Sequence, residues 1–227
     1  MSDSEYTQQE KTSNQGRKAV ISREDLISAA LKLVGPHRSI SSLSLREVAR
    51  AADIAPNSFY RHFKDMDELG LALVDEVCLN LRRLLREERV KAQGAGHIAI
   101  KSSVMMFLLY VKQEARYFDF LARERWSGST KIREAIQREI RHFATDLNSD
   151  LRLFPEMQNL PSADLQMISD LVINTAMNWC GEILSLPSEQ VRLQYELSMQ
   201  AVKQLRLIFV GAKHWRSDKE TIVSEKM

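Results

Sequence analysis

The segment Ser44–Phe63 constrains the fold of this chain most strongly, because it predicts two short helices joined by a tight turn. Ser44 and Glu47 have the spacing of a capping box, in which each side chain satisfies a free backbone donor. Apolar residues at helical spacing then give the first helix one buried face: Leu45, Val48, Ala49 and Ala52. Pro56 restarts a helix at its first position, where the missing N–H costs little. The segment therefore predicts a helix-turn-helix motif over residues 44–63.

The second helix of this motif has an apolar side and a polar side. Phe59 and Phe63 lie four residues apart and are predicted to anchor the helix inward, with Ile54 filling the turn. The opposite side carries short polar, basic and hydroxyl groups: Asn57, Ser58, Tyr60, Arg61 and His62. Such groups suit hydrogen bonds to base edges and phosphates. We expect residues 56–62 to enter the major groove of DNA.

The distribution of charge supports this interpretation. The whole chain has a formal net charge of only +2. Residues 17–64 contain nine Lys and Arg against four Asp and Glu, whereas residues from 65 onward contain 22 against 23. Positive charge is thus concentrated around the motif, as attraction to phosphates requires. A solvated basic face would give the same balance.

The motif LREVARAADIAPNSFYRHFKDMDEL resembles the DNA-binding signature of the TetR family of bacterial repressors. The runs SLSLREVAR, IAPNSFYRHF, DELGL and LARERWSG are most similar to members of that family that repress unsaturated fatty-acid synthesis. This resemblance implies a homodimer on palindromic double-stranded operator DNA, with acyl-CoA or acyl carrier protein as the effector. The family usually has a polar N-cap where this chain has Ala55, and Pro56 is expected to compensate by pre-setting the helical turn.

The predicted DNA contacts fall into two groups. Asn57 and Ser58 are expected to face base edges, and Pro56 is expected to contact a thymine methyl group. Arg46 is expected to reach either a base or a phosphate. The remaining predicted contacts grip the phosphate backbone and set the register: Ser44, Tyr60, Arg61, His62 and Lys64.

The rest of the chain predicts helices throughout, so the fold class is all-α. Residues 1–20 are predicted to be a flexible arm that reaches DNA, or equally a disordered solubilising tail. Residues 21–64 form a three-helix DNA-binding domain whose first helix starts at Ser22 and Asp25 and ends at Gly35-Pro36. Residues 65–215 form a helical ligand-binding and dimerisation domain, and residues 216–227 a frayed tail.

The C-terminal domain is predicted to begin with a long helix. Asp65 and Glu68 start this helix, which continues to about Lys91 and ends before the glycines at 94 and 96. Five further helices are predicted over 97–112, 114–126, 130–152, 163–185 and 189–215. Ser162 and Ser188 are the predicted N-caps of the last two.

The middle helices are rich in methionine and aromatic side chains. Core filling explains this composition by itself, whereas the family resemblance implies that some of these residues line an acyl-chain pocket. The candidates are Met106, Leu109, Tyr110, Phe118, Leu121, Phe143, Met167, Leu171 and Thr175. Arg123 and Arg125, near a break at Gly128, suit a phosphate-bearing head group such as that of coenzyme A. A charged, solvent-facing helix end is the alternative.

The last two helices carry apolar faces, and the family resemblance implies that the corresponding pair forms a four-helix dimer interface. These faces contain Leu165, Ile168, Val172, Ala176 and Trp179, followed by Val191, Tyr195, Leu197, Val202, Leu205 and Ile208. The alternative is an internal core. Two-fold pairing would place two motifs on a palindromic operator.

Other classes of protein are disfavoured by the sequence. Cys78 and Cys180 lie in apolar surroundings, which favours buried reduced thiols over a disulfide. The longest apolar run, residues 104–111, is too short to span a bilayer, so we expect a soluble cytoplasmic protein without membrane contact. Glu139-x-x-His142 is only half of a helical di-iron pattern.

We therefore predict no metal, no cofactor and no catalytic residue. Two rival functions are a TetR-like repressor that responds to another hydrophobic molecule, and an all-α enzyme or carrier.

Overall fold

The computed structural model describes residues 21–34, 38–91, 97–127 and 129–217, and this part of the chain is all-α as predicted. The predicted arm, the breaks at Gly35-Pro36, residues 94–96 and Gly128, and the tail beyond residue 217 lie outside the described residues.

The helices fall into two groups along the chain. The N-terminal unit contains α1 (Arg23–Leu33), α2 (Leu45–Ala51) and α3 (Pro56–Phe59), with a 3₁₀ turn at Ile40–Ser42. The C-terminal bundle contains α4 (Met66–Lys91), α5 (His97–Gln113), α6 (Ala115–Ser127), α7 (Thr130–Leu151), α8 (Ser162–Ser185) and α9 (Val191–His214). These bounds lie within a few residues of the predicted ones.

Three predicted N-cap residues are confirmed and two are wrong. Ser22 and Ser44 form capping boxes with the residues three positions later, and the Asp65 carboxylate accepts the Glu68 N–H at 2.8 Å. The N-cap of α8 is Pro161 rather than Ser162. The N-cap of α9 is Gln190 rather than Ser188.

The two errors have a common cause in longer-range hydrogen bonds. The Ser162 hydroxyl accepts a hydrogen bond from Arg152 at 2.7 Å, and the carbonyl of Pro161 accepts the first helical bond, from the N–H of Leu165. Before α9, the Pro187 carbonyl accepts the Gln190 N–H at 3.1 Å and the Gln194 side chain at 2.8 Å. These bonds close a turn there, so the helix begins after it.

One hydrophobic core joins the N-terminal unit to the bundle. It runs from Leu26, Val48 and Phe59 through Leu69 and Leu73 to side chains of α5 through α9. A smaller cluster at the far end of the bundle contains Leu151, Met157, Leu165, Ile168 and Ala212. The N-terminal unit is therefore packed against the bundle as well as covalently connected to it.

Much of the apolar face predicted for α8 and α9 is buried, in the main core or in the smaller cluster. Leu165, Ile168, Val172 and Trp179 are buried on α8, and Val202 and Leu205 are buried on α9. Two predicted members of this face, Val191 and Tyr195, are instead exposed on α9, and the outward surface of the two helices also carries Met167, Leu171, Leu207 and Val210.

Both cysteines are buried and unlinked. Desolvation by burial raises the pKa of the Cys78 and Cys180 thiols to about 12. Within the described ranges, no helix combines the length and the apolar character needed to cross a membrane.

Candidate nucleic-acid interface

The turn between α2 and α3 depends on one residue with a left-handed backbone conformation. Asp53 has a φ of 53°, a conformation that aspartate tolerates better than most side chains. Its N–H donates to the Arg50 carbonyl at 3.1 Å, and the next N–H, of Ile54, reaches back to the Ala49 carbonyl at 2.9 Å. This pair of bonds is the Schellman pattern that ends a helix sharply. It turns the chain so that α3 can start two residues later.

Helix α3 is shorter than the predicted span to residue 62. Its α-helical part is Pro56–Phe59, with the proline at the first position and no side-chain cap from Ala55. The next residues bond to carbonyls only three positions back: the Arg61 N–H donates to the Ser58 carbonyl at 3.2 Å and the His62 N–H to the Phe59 carbonyl at 2.9 Å. Residues 60–62 therefore lie on a turn that continues α3.

Two phenylalanines hold α3 against the N-terminal unit, as predicted. Phe59 and Phe63 are 0% and 1% exposed, and their ring centroids lie 5.7 Å apart. The Arg23 guanidinium carbon lies 4.7 Å from the Phe63 ring centroid, a cation–π contact that ties α1 to the end of the motif. Sequence reasoning missed this contact, which joins residues forty positions apart.

The predicted DNA-contacting side chains all lie at the surface. Ser58 and His62 are half-buried. The other seven are exposed: Ser44, Arg46, Pro56, Asn57, Tyr60, Arg61 and Lys64. Tyr60 is 61% exposed and stacks edge-on to Phe59 at 6.0 Å. The polar edge of the motif is thus accessible to a duplex, while the DNA contacts themselves stay predictions.

Glu47 fixes the start of α2 electrostatically. Its carboxylate accepts the Ser44 N–H at 2.9 Å and the Ser44 hydroxyl at 2.8 Å, and it forms an ion pair with Arg38. The bond from the Ser44 backbone, followed by that from Arg38, lowers the pKa of Glu47 to about 2. The Ser44 hydroxyl is already used within this capping box, so its predicted phosphate contact has to compete with Glu47.

A buried carboxylate connects the bundle to the N-terminal unit. Glu124 of α6 is 0% exposed, and its Oε1 accepts the Ile40 N–H at 3.0 Å. Its other oxygen, Oε2, is buried and has no hydrogen-bond partner within the described part of the chain. Ile40 begins the 3₁₀ turn that leads into α2. Position 124 therefore acts on the segment that positions the first helix of the motif.

Two further contacts, both within the bundle, fix α7 to the start of α4, the helix that follows the N-terminal unit. The Lys131 ammonium lies 2.9 Å from the Asp67 carboxylate and, as the largest cause, lowers the pKa of Asp67. Gly70 on α4 packs so closely on α7 that a Cβ there would lie 2.5 Å from Ile132 Cδ1. Near residues 124–132, the bundle is thus fixed to the N-terminal unit and to the start of α4.

The predicted ligand residues occupy several environments. Phe118, Leu121 and Phe143 are buried in the core, where Phe118 makes edge-on ring contacts with Phe107 at 6.3 Å and with Tyr110 at 5.8 Å. The half-buried members are Met106, Tyr110, Arg123, Arg125 and Thr175. Leu109, Met167 and Leu171 are about half exposed, at 50%, 47% and 52%.

Two surface grooves involve members of this set. Tyr110 lines a polar groove of about 270 Å³ together with Arg83 and Glu114. Arg125 lines a larger groove of about 780 Å³ on α6 and α7. The assignment of these residues to an acyl-chain pocket remains a prediction.

Glu139 and His142, the residues of the half di-iron pattern, belong to an ion-pair network. Glu139 pairs with Arg82 across α4 and α7, and His142 Nδ1 lies 3.0 Å from the same guanidinium group. In the described ranges, no three His, Cys, Asp or Glu side chains come together as a metal-binding group.

The chain matches two sequence families. Residues 26–73 match the family described as "Bacterial regulatory proteins, tetR family". Residues 97–211, about half of the chain, match the family described as "Tetracyclin repressor-like, C-terminal domain". The first match spans the helix-turn-helix motif, and the second spans most of the bundle.

Solved structures share the fold at low sequence identity. A transcriptional regulator from Rhodococcus sp. Rha1 superposes with a TM-score of 0.65 at 20% identity, covering 86% of this chain and 100% of that one. FadR from Bacillus subtilis, solved with stearoyl-CoA, gives 0.63 at 14% identity, with coverages of 84% and 99%. SmeT, solved with triclosan, gives 0.65 at 16% identity, with coverages of 83% and 90%.

Proposed function

Because the chain belongs to the TetR family of bacterial transcriptional regulators, we propose that it is a homodimeric repressor of unsaturated fatty-acid synthesis genes that responds to long-chain acyl thioesters. Regulators of this family bind operator DNA and small-molecule ligands, act as dimers and are not enzymes. The observation that carries the proposal is the exposed polar edge of α3 on a unit with concentrated positive charge.

DNA binding is proposed to use the start of α3 for specificity. Asn57 and Ser58 face the base edges, and Pro56 offers an apolar contact to a thymine methyl group. Arg46 approaches from the start of α2, where its side chain is exposed. Tyr60, Arg61, His62 and Lys64 bind the phosphate backbone, with Ser44 at the start of α2, and set the register.

Dimerisation is proposed to use the outward surface of α8 and α9. Met167 and Leu171 are about half exposed on α8, and Leu207 and Val210 are 73% and 52% exposed on α9. A second copy that covers these apolar side chains would form a four-helix interface with two-fold symmetry. Such pairing presents two α3 helices to the half-sites of a palindromic operator. If so, Met167 and Leu171 serve the interface rather than the predicted pocket.

The effector is proposed to be a long-chain acyl thioester, either acyl-CoA or acyl carrier protein. The sequence runs around α2, α3 and α6 are similar to FabR, the repressor of unsaturated fatty-acid synthesis. The FadR structure with stearoyl-CoA supports the idea that this fold can take such a ligand. Regulation then requires that the thioester bind with different affinity to two conformations, one that fits operator DNA (the DNA-fit state) and one that does not (the DNA-unfit state). The Glu124–Ile40 bond gives α6 a direct route to the N-terminal unit.

The test is a titration of labelled promoter duplexes from fatty-acid synthesis and desaturation genes, followed by fluorescence anisotropy. We expect salt-sensitive binding that exceeds binding to a scrambled duplex, and a change in affinity on addition of oleoyl-CoA. Asn57→Ala should weaken operator binding by about 1–3 kcal/mol. Asn159→Ala is the matched control, since Asn159 is also exposed but lies between α7 and α8. Equal affinity of the two variants would contradict the placement of Asn57 on the bases.

A second candidate is a regulator of the same kind that answers to another hydrophobic molecule. The similarity to SmeT, which was solved with triclosan, favours this alternative. Native mass spectrometry of the protein purified from cells separates the two candidates, because a retained ligand reveals its class by mass. A retained acyl thioester supports the first candidate, and a retained aromatic compound supports the second.

A further inference from the structure

The groove on α6 and α7 is lined by four arginines and an exposed tryptophan. Arg125 and Trp126 lie at the end of α6, and Arg133, Arg138 and Arg141 follow on α7. One acidic residue, Glu134, also lines the groove. A concentration of guanidinium groups in one groove produces a positive potential that attracts an acidic partner.

Arg138 and Arg141 are the most available of these cations. Both side chains are exposed, and neither forms an ion pair with a residue in the described part of the chain. Arg125 is held in place, since it donates to Asn174 of α8 at 3.2 Å and lies 5.1 Å from the Trp126 ring centroid. The groove thus combines a fixed inner arginine with two exposed outer ones.

Trp126 presents a large apolar surface in this groove. Its side chain is 75% exposed. If a partner covered it, the buried aromatic area would contribute strongly to binding. Tryptophan and arginine are the residues most enriched among interface positions that dominate affinity. A partner that covers Trp126 and pairs with the arginines would use both.

The layout of the arginines distinguishes a protein surface from a small ligand. Arg133 and Arg141 share one face of α7 and lie eight positions, or about 12 Å, apart, and Arg138 lies between them along the helix axis. A small phosphate-bearing ligand is usually enclosed by donors that converge on it. A row of cations along an open groove instead complements acidic side chains spaced along a helix of another protein.

From these observations we propose that the α6–α7 groove is the docking surface for acyl carrier protein, an acidic protein that carries the acyl chain on a phosphopantetheine arm. The inference rests on the proposed acyl-thioester response and specifies which form of the thioester the chain recognises through a protein contact. Arg125 connects the groove to α8, near the predicted ligand residues Leu171 and Thr175. Glu124, its neighbour on α6, bonds to the N-terminal unit. A docked carrier therefore lies against the helix that bonds to the N-terminal unit.

The test compares carrier-bound and CoA-bound thioesters on the full chain. Biolayer interferometry measures binding of oleoyl-acyl carrier protein, unacylated carrier protein and oleoyl-CoA to the wild type and to an Arg138→Glu/Arg141→Glu variant. We expect the variant to lose at least about tenfold in affinity for both carrier forms, with a weaker salt dependence, because opposed charges dominate such a contact. Its affinity for oleoyl-CoA should change by less than about threefold. An Arg116→Glu/Lys101→Glu variant, with the same change in charge at exposed positions outside the groove, is the control.

Each other outcome counts against the inference in a distinguishable way. If oleoyl-acyl carrier protein binds the groove variant as well as the wild type, docking is elsewhere, and the acyl-thioester response stands. If oleoyl-CoA loses as much affinity as the carrier forms, the groove holds the phosphate head group instead. If operator DNA loses affinity for the groove variant, the groove contacts DNA. If neither thioester binds the wild type, the proposed effector fails and carrier docking fails with it. Because both substituted side chains are exposed, unchanged circular dichroism and melting temperature should verify that the variant folds.

Discussion

Replacing Glu124 with alanine tests the junction between the bundle and the N-terminal unit. The substitution leaves the Ile40 N–H buried without an acceptor, which costs about 1–3 kcal/mol, and it leaves a cavity at a position that is 0% exposed, which adds about 1–2 kcal/mol. Loss of the carboxylate, whose Oε2 has no partner in the described residues, returns about 1 kcal/mol. The mid-points of these ranges give a net destabilisation of about 2–3 kcal/mol.

Glutamine at the same position separates the hydrogen bond from the charge. Its carbonyl oxygen can accept the Ile40 N–H as Oε1 does, and its shape fills the same space. We therefore expect Glu124→Gln to stay within about 1 kcal/mol of the wild type. Glu134→Ala is the matched control for side-chain truncation, because Glu134 is exposed on α7, and it should change stability by less than about 0.5 kcal/mol.

The assay is urea unfolding at one fixed protein concentration, which keeps any effect of self-association on stability the same for every variant. For a chain of this length, about 2–3 kcal/mol corresponds to a decrease in melting temperature of roughly 4–12 °C. Hydrogen exchange at the Ile40 amide supplies the local measurement, and it should accelerate in the alanine variant but not in the glutamine variant. Equal stability of Glu124→Ala and the wild type would refute this account of the junction, as would equal destabilisation by alanine and glutamine.

Three other predictions follow from described contacts. Gly70→Ala should destabilise the fold by about 1–2 kcal/mol, because crowding at Ile132 Cδ1 outweighs the gain in helix propensity. The same substitution should be neutral or stabilising in an Ile132→Val background, which lacks that atom. Denaturation of the wild type, the two single variants and the double variant measures the coupling between the two positions. The lowered pKa of Glu47 means that its stabilising effect is complete above its usual value of 4.5 and is lost as pH falls toward about 2. The protection factors of the α2 amides, which correct for the pH dependence of intrinsic exchange, should therefore fall over this range, and Glu47→Gln should remove that change. Cys78 and Cys180, whose thiols have pKa values of about 12, should react with Ellman's reagent at pH 7.5 only after denaturation; fast labelling of the native protein would contradict their burial.

The elements predicted well from sequence depend on contacts between near neighbours. The capping boxes at Ser22 and Ser44 and the cap at Asp65 each join side chains and backbone three residues apart, so their spacing is visible in the sequence. The same reasoning failed at Ser162 and Ser188. Arg152 donates to the Ser162 hydroxyl from ten residues away, and the Gln194 side chain donates to the carbonyl of Pro187, seven residues before it and next to Ser188. No local pattern reveals these bonds.

The rotation of the bundle helices was the least predictable feature. On α8, Ile168 points into the core and Leu171 points outward, although both fit an apolar stripe at helical spacing. Which side of a largely apolar helix faces inward depends on its neighbours, so the ligand residues and the dimer surface cannot be separated by periodicity. Glu124 was missed for a related reason. A carboxylate is usually exposed to solvent, whereas the position of Glu124 three residues after the buried Leu121 places it on the inward face of α6.

The Glu124–Ile40 bond also sets a limit on how an effector can act. A ligand shifts the DNA-fit and DNA-unfit states only by its difference in affinity for them. If α6 moves away from Ile40 in the unfit state, that state lacks the bond, so Glu124→Ala destabilises the fit state alone. A loss of about 1–2 kcal/mol would then lower operator affinity by about 5–30-fold without any effector. Glu124→Gln would retain the wild-type affinity. If the bond is kept in both states, the alanine variant unfolds more easily but binds operator normally, and regulation must run through contacts other than this bond.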